Sequence, residues 1–104
     1  MKLWLDDLRP IPREEGWVLA HSVNEAISIM GDTKISFASL DHDLGDWAPD
    51  GGDGVKLVLW MIENERWPSE GIEVHSMNPV GAQNMIALID QYAPYRGTRR
   101  TRPF

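Results

Sequence analysis

"KISFASLDHDLGDW", residues 34–47, decides the fold. Its first half is apolar and β-prone, whereas Asp41, His42, Asp43 and Asp46 crowd into the six positions 41–46. Asp disfavours strands and favours turns, so the change of character marks a strand ending at residue 41 on polar groups. An Asx-turn would account for one such end. The same change recurs in "KLWLDD" (2–7), which ends on Asp6 and Asp7, and in "IEVHS" (72–76), which ends on His75 and Ser76 just before Asn78.

Outward from this stretch, "WVLAH" (17–21) reads as a further strand, and the two prolines of "RPIPREEG" (9–16) disfavour a helix before it. "SVNEAISIMG" (22–31) predicts a helix: Ser22 caps, Glu25 completes a capping box, and Ala26, Ile27 and Met30 form the apolar stripe. A second helix is expected over 54–66 on Val55, Val58, Leu59 and Ile62, with Asp50 and Asp53 as its caps. The loop before it, "GDWAPDGGDG", has the length of a lid. A third helix is expected over 78–92, with Asn78 as cap and Pro79 at its first position. The order β-β-α-β-α-β-α implies a mostly parallel sheet with right-handed crossovers, hence an α/β layered fold. In such sheets ligands bind beyond the carboxyl ends of the strands, where the polar residues gather.

The 104 residues make one domain, expected over 1–95, followed by a basic tail over 96–104. Four of ten Lys and Arg (Arg96, Arg99, Arg100, Arg102) lie in that tail. Residues 1–95 hold six basic and all sixteen acidic residues, a net −10, which argues against broad nonspecific nucleic-acid binding. The tail is either a solvated terminus or an arm that reaches a phosphate. No cysteine is present, which removes thiolate and disulfide chemistry and makes a cytoplasmic setting the expectation. The densest apolar run, "VKLVLWMI" (55–62), is far shorter than the roughly 20 residues of a membrane span, so no membrane partner is expected.

Asp6, Asp7, Asp41 and Asp43 would raise each other's pKa if gathered, unless a cation neutralised them. Hard oxygen ligands without Cys suit Mg²⁺ or Mn²⁺, bound by carboxylates, water and a substrate phosphate. The helix start after Asn78, with backbone N–H groups near Val80 and Gly81, suits an anion. His42 or His75 could serve as general acid or base, or be buried rings satisfied internally, and Ser76 as a hydrogen-bond donor. Trp4 and Trp60 read as core, His21 as structural, and Trp47 as the candidate for stacking on a substrate.

"LDDLRP", "SLDHDLG" and "VHSMNPVGAQNM", in this order, resemble the cyclic-phosphate processing receiver domain family, a derivative of the response-regulator receiver fold. The resemblance implies a flavodoxin-like three-layer fold with a four-stranded sheet in the order 2-1-3-4. It also implies metal-dependent processing of cyclic phosphates, 2′,3′-cyclic nucleotides or RNA ends in a repair context. The family's acidic pair falls on Asp6 and Asp7, its Arg on Arg9, its strand-three motif on Asp41, His42 and Asp43, and its last motif on His75, Ser76, Asn78 and Asn84. Against the ordinary receiver, Asp41 takes the phosphoacceptor position and Ser76 that of the switch hydroxyl. The usual first helix and the fifth strand with its Lys are expected to be missing. That favours a metal-dependent phosphoesterase over the alternative, a noncatalytic receiver-like module that binds a metal, a phosphorylated ligand or a protein.

Overall fold

Strict alternation along three short strands separates an apolar face from a polar one. Leu3 and Leu5 of β1 (Lys2–Leu5), Ala38 and Leu40 of β3 (Phe37–Leu40), and Ile72 and Val74 of β4 (Gly71–Val74) join one buried core. Trp4, Ser39 and Glu73 are register partners across the same strands and point the other way. These features come from a computed structural model that describes residues 1–95 and 99–100.

The sheet is parallel throughout, in the order β2-β1-β3-β4-β5, with β2 spanning Trp17–Ala20 and β5 the two residues Arg99–Arg100. The expected order 2-1-3-4 holds. The missing fifth strand does not: Arg99 and Arg100 pair with Glu73 and Val74. A two-residue edge strand has no room for the alternation that reveals a strand in sequence, so it read as tail. The rest of that tail, 96–98 and 101–104, lies outside the described residues.

Three helices cross between the strands: α1 (Val23–Asp32), α2 (Val55–Asn64) and α3 (Pro79–Tyr92). All three connections run in one direction along the sheet, so right-handed crossovers place them on one face, where α1 packs on α2 and α2 on α3. The oppositely directed step from β1 to β2 sends residues 6–16 across the other face. There the expected third layer contains this irregular segment and no helix among the described residues. Its anchors are Lys2 N–H to Gly16 O at 2.7 Å and Trp4 Nε1–H to Arg9 O at 3.3 Å.

Helix starts follow the caps read from sequence at two of three positions. Ser22 accepts from Glu25 N–H and Asn78 from Gly81 N–H. The third differs, because α2 starts at Gly54 with no side-chain cap. A Cβ on Gly54 would stand 1.9 Å from the Asp41 carbonyl oxygen, so only glycine lets the helix start this close to the end of β3. Asp53 instead accepts from Leu44 N–H at 3.1 Å, and Asp50 from Ser22 Oγ at 2.6 Å and Asn24 Nδ2 at 3.1 Å. The Asp50 bonds tie the loop expected as a lid to the start of α1. No helix among the described residues is long and apolar enough to cross a membrane.

Candidate functional site

The last ladder hydrogen bonds of the sheet are donated by Asp6 to Ala20, by Asp41 to Leu5 and by His75 to Leu40, at 2.9–3.1 Å. Each of the three residues thus lies one position beyond its strand, on the face that carries Trp4, Ser39 and Glu73. One ligand atom from each of Asp6, Asp41 and His75 falls within 4.8 Å of the others.

Asp6 is 1 % exposed. Its Oδ1 accepts from the N–H groups of Leu8 and Arg9, both at 2.9 Å, and its Oδ2 lies 2.9 Å from His75 Nε2. Burial alone would push its pKa up, but the His75 bond and the two N–H donors outweigh this and hold it below the ordinary value. His75 was expected as an acid or base or as a satisfied buried ring, and the second reading describes its setting. It is 1 % exposed, its Nδ1 lies 2.6 Å from Ser39 Oγ, and its ring stacks on Trp4 at 3.9 Å and 5°. Both of its nitrogens are thus engaged inside the protein, Nδ1 with Ser39 and Nε2 with Asp6.

Asp41 is half-buried and has the opposite balance. Burial and then the neighbouring Asp6 carboxylate push its pKa up to about 6, against smaller lowering contributions from His75, the His42 N–H and Ser76. A divalent cation would remove that penalty, and carboxylate oxygens are the donors a hard cation takes. Asp41 and Asp7 share a cleft of about 290 Å³ with Arg9, Asp43, Ser76 and Asn78. Leu8 and Met77 line the same cleft at 87 % and 72 % exposure, an apolar rim that strand-end reasoning missed. A larger groove of about 520 Å³, walled by Met30, Lys34, Glu65 and Trp67, lies away from every cluster of candidate ligands.

Asp43 lies outside the Asp6–Asp41 group. It meets His42 Nδ1 at 2.6 Å and Asn78 Nδ2 at 3.1 Å, and these bonds hold its pKa below the ordinary value. With His42 and Asp53 it forms a second group of possible ligands. The separation has a simple cause: Asp41 N–H makes the last rung of the ladder, after which the chain turns outward. His42 packs over the first turn of α3, where a Cβ on Gly81 would stand 2.5 Å from its ring. Gly81 therefore makes room for His42, and its N–H is already taken by Asn78 Oδ1 at 2.9 Å, so it is not the free anion donor expected.

Arg9, Ser76 and Asn78 thus meet at the cleft with Asp7 and Asp41, whereas Asn84 is exposed further along α3. Ser76 Oγ accepts from Asn78 N–H at 3.1 Å and bonds Asp41. Trp47 does not line the cleft. It stacks on His21 at 5.0 Å, and His21 N–H donates to Glu25 at 3.0 Å, a structural arrangement.

The family model of the cyclic-phosphate processing receiver domain matches residues 1–91, which take in every described residue of this site. No curated protein matches the chain.

Proposed function

Because the chain belongs to the cyclic-phosphate processing receiver domain family, we propose that it is a metal-dependent phosphoesterase that opens 2′,3′-cyclic phosphates of nucleotides or RNA ends. The observation that carries this reading is the pair Asp6 and Asp41, two carboxylates brought together at neighbouring strand ends, with Asp41 in the cleft wall and lifted to about 6. Asp6, Asp41 and the cleft-wall Asp7 are the residues that would hold Mg²⁺ or Mn²⁺. When bound, the ion would withdraw charge from the phosphoryl group and lower the pKa of a water.

The rest falls to side chains of the chain itself. Asn78 and Arg9 line the cleft as donors for phosphate oxygens, and Ser76 is held between Asp41 and the Asn78 N–H. His42 lies behind the cleft wall, bonded to the cleft-lining Asp43, and is assigned the proton. Asp43 holds its Nδ1 at 2.6 Å, and no described residue is hydrogen-bonded to its Nε2. In the hydrolysis one P–O bond forms from water and one ring P–O bond breaks. The water's proton ends on the departing ribose oxygen, giving a phosphomonoester. Leu8 and Met77, exposed beside these polar groups, suit the nucleoside part of the substrate.

The test is incubation with 2′,3′-cyclic AMP and Mg²⁺ or Mn²⁺, followed by ³¹P NMR. The expected result is a monoester signal from wild type and none from D41N; no turnover by folded wild type with either ion overturns the proposal. The bond between Ser76 and Asp41 favours a second reading, a phosphoacceptor switch at Asp41. Treatment with acetyl phosphate and intact-mass analysis separates the two, since only a switch gains a labile phosphoryl group.

A further inference from the structure

Behind Asp6 the polar chain continues into the middle of the sheet. Ser39 Oγ donates to Glu73 Oε2 at 2.7 Å and lies 2.6 Å from His75 Nδ1, while His75 Nε2 lies 2.9 Å from Asp6 Oδ2. All four residues are buried, with Ser39 at 0 % and Glu73 at 6 % exposure. A buried carboxylate and hydroxyl within a small sheet cost several kcal/mol of desolvation unless bonded, and an apolar pair would fill the same space. The core lies on the other face, and Ser39 and Glu73 are register partners that continue into His75.

Trp4, Ser39 and Asp6 each contact the imidazole. Trp4 sets its plane, Ser39 holds Nδ1, and Asp6 receives Nε2. Trp4 in turn donates to the Arg9 carbonyl, while the Arg9 N–H donates to Asp6 Oδ1. The ring, the carboxylate and the cleft-wall segment are therefore linked through Trp4. An Asp6 carboxylate with Oδ1 engaged twice and Oδ2 once keeps only one lone-pair direction free.

We propose that Ser39 and Glu73 are positioning residues: they hold the His75 ring so that it orients Asp6 for the metal, and they remove His75 from proton transfer. This rests on the reading of Asp6 as a metal ligand. Outer partners of this kind typically alter metal affinity or activity by about 10–100-fold when removed.

The experiment compares wild type, S39A, S39T and E73Q by three readouts: ring ¹⁵N–¹H correlations of His75 in the metal-free protein, Mn²⁺ affinity by calorimetry, and kcat and KM for 2′,3′-cyclic AMP. The expected result is a displaced His75 ring signal in S39A and E73Q and Mn²⁺ affinity weaker by about 10–100-fold, with kcat falling more than KM changes and S39T restoring wild-type values. Should S39A not fold, E73Q and S39T carry the comparison. An unchanged His75 signal in folded S39A or E73Q, or unchanged Mn²⁺ affinity in either, overturns the proposal. Absence of turnover in wild type instead removes the phosphoesterase reading, while the ring signal and Mn²⁺ affinity still decide the role of Ser39. Absence of Mn²⁺ binding in wild type overturns both.

Discussion

Asp41 and Asp6 each place a carboxylate oxygen within one 4.8 Å group, yet their acidities are driven apart. Asp6, bonded to His75 and two N–H groups, is held below the ordinary value, while burial and Asp6 itself lift Asp41 to about 6. A carboxyl raised by folding favours the fold below its unfolded value of 3.8, and that contribution disappears as pH rises through about 6. Above pH 6 the metal-free protein thus carries a penalty at Asp41. D41N removes it, so at pH 7.5 metal-free D41N should be more stable than wild type by about 1–3 kcal/mol, the difference fading by pH 4. Urea denaturation at both pH values checks this. Mg²⁺ should raise the midpoint of wild type at pH 7.5 and leave D41N unmoved.

Removing Asp6 has the opposite sign. D6A leaves the buried His75 Nε2 and the part-buried N–H groups of Leu8 and Arg9 without their acceptor, and should cost about 3–5 kcal/mol at pH 7. Because the pKa of Asp6 is lowered by folding, its contribution is present above 3.8 and is lost as pH falls through its folded value. The gap between wild type and D6A should therefore narrow below pH 3.8, measured by thermal unfolding across pH.

Gly81 offers a probe of His42 that keeps the imidazole but shifts its position. G81A puts a methyl 2.5 Å from the ring and must displace it, at a cost of about 1–3 kcal/mol in stability. If His42 carries the proton, kcat for 2′,3′-cyclic AMP should fall at least tenfold while Mn²⁺ affinity is retained. Stopped assays beside calorimetry test both halves of that expectation.

Leu8 and Met77 are so exposed that serine in their place should change stability by no more than about 0.5 kcal/mol. L8S and M77S should nevertheless raise KM for 2′,3′-cyclic AMP several-fold at constant kcat. They should leave KM unchanged for a cyclic phosphate of glycerol, which has no base to cover the rim.

Local signals carried much of this architecture into the sequence. Ser22 and Asn78 cap through contacts only three residues long, and alternation in "KLWLD" and "FASLD" fixes which side chains enter the core. Asp6, Asp41 and His75 were legible as strand ends because polarity changes abruptly there. Ser39 and Glu73 were not, since a single polar residue on a strand looks solvent-facing until register aligns it with His75. Asp50 and Asp53 looked like caps of α2 because they precede it, but bonds from Ser22 and Leu44 claim them. The choice between Asp41 and Asp43 depended on where the ladder stops, a long-range property that two residues of equal parity cannot reveal.

The irregular crossing from β1 to β2 separates two kinds of variation. Its near end carries Leu8 and Arg9 into the cleft wall, its far end is tied at Gly16, and Pro10, Ile11, Arg13, Glu14 and Glu15 between them are exposed. Doubling a flexible loop costs only about 0.6 kcal/mol, and none of these five residues belongs to the core cluster. Insertions here can therefore build a new wall for a larger substrate while the helices and the buried acid–imidazole chain keep their places, which makes this segment the natural point for retargeting the domain by design.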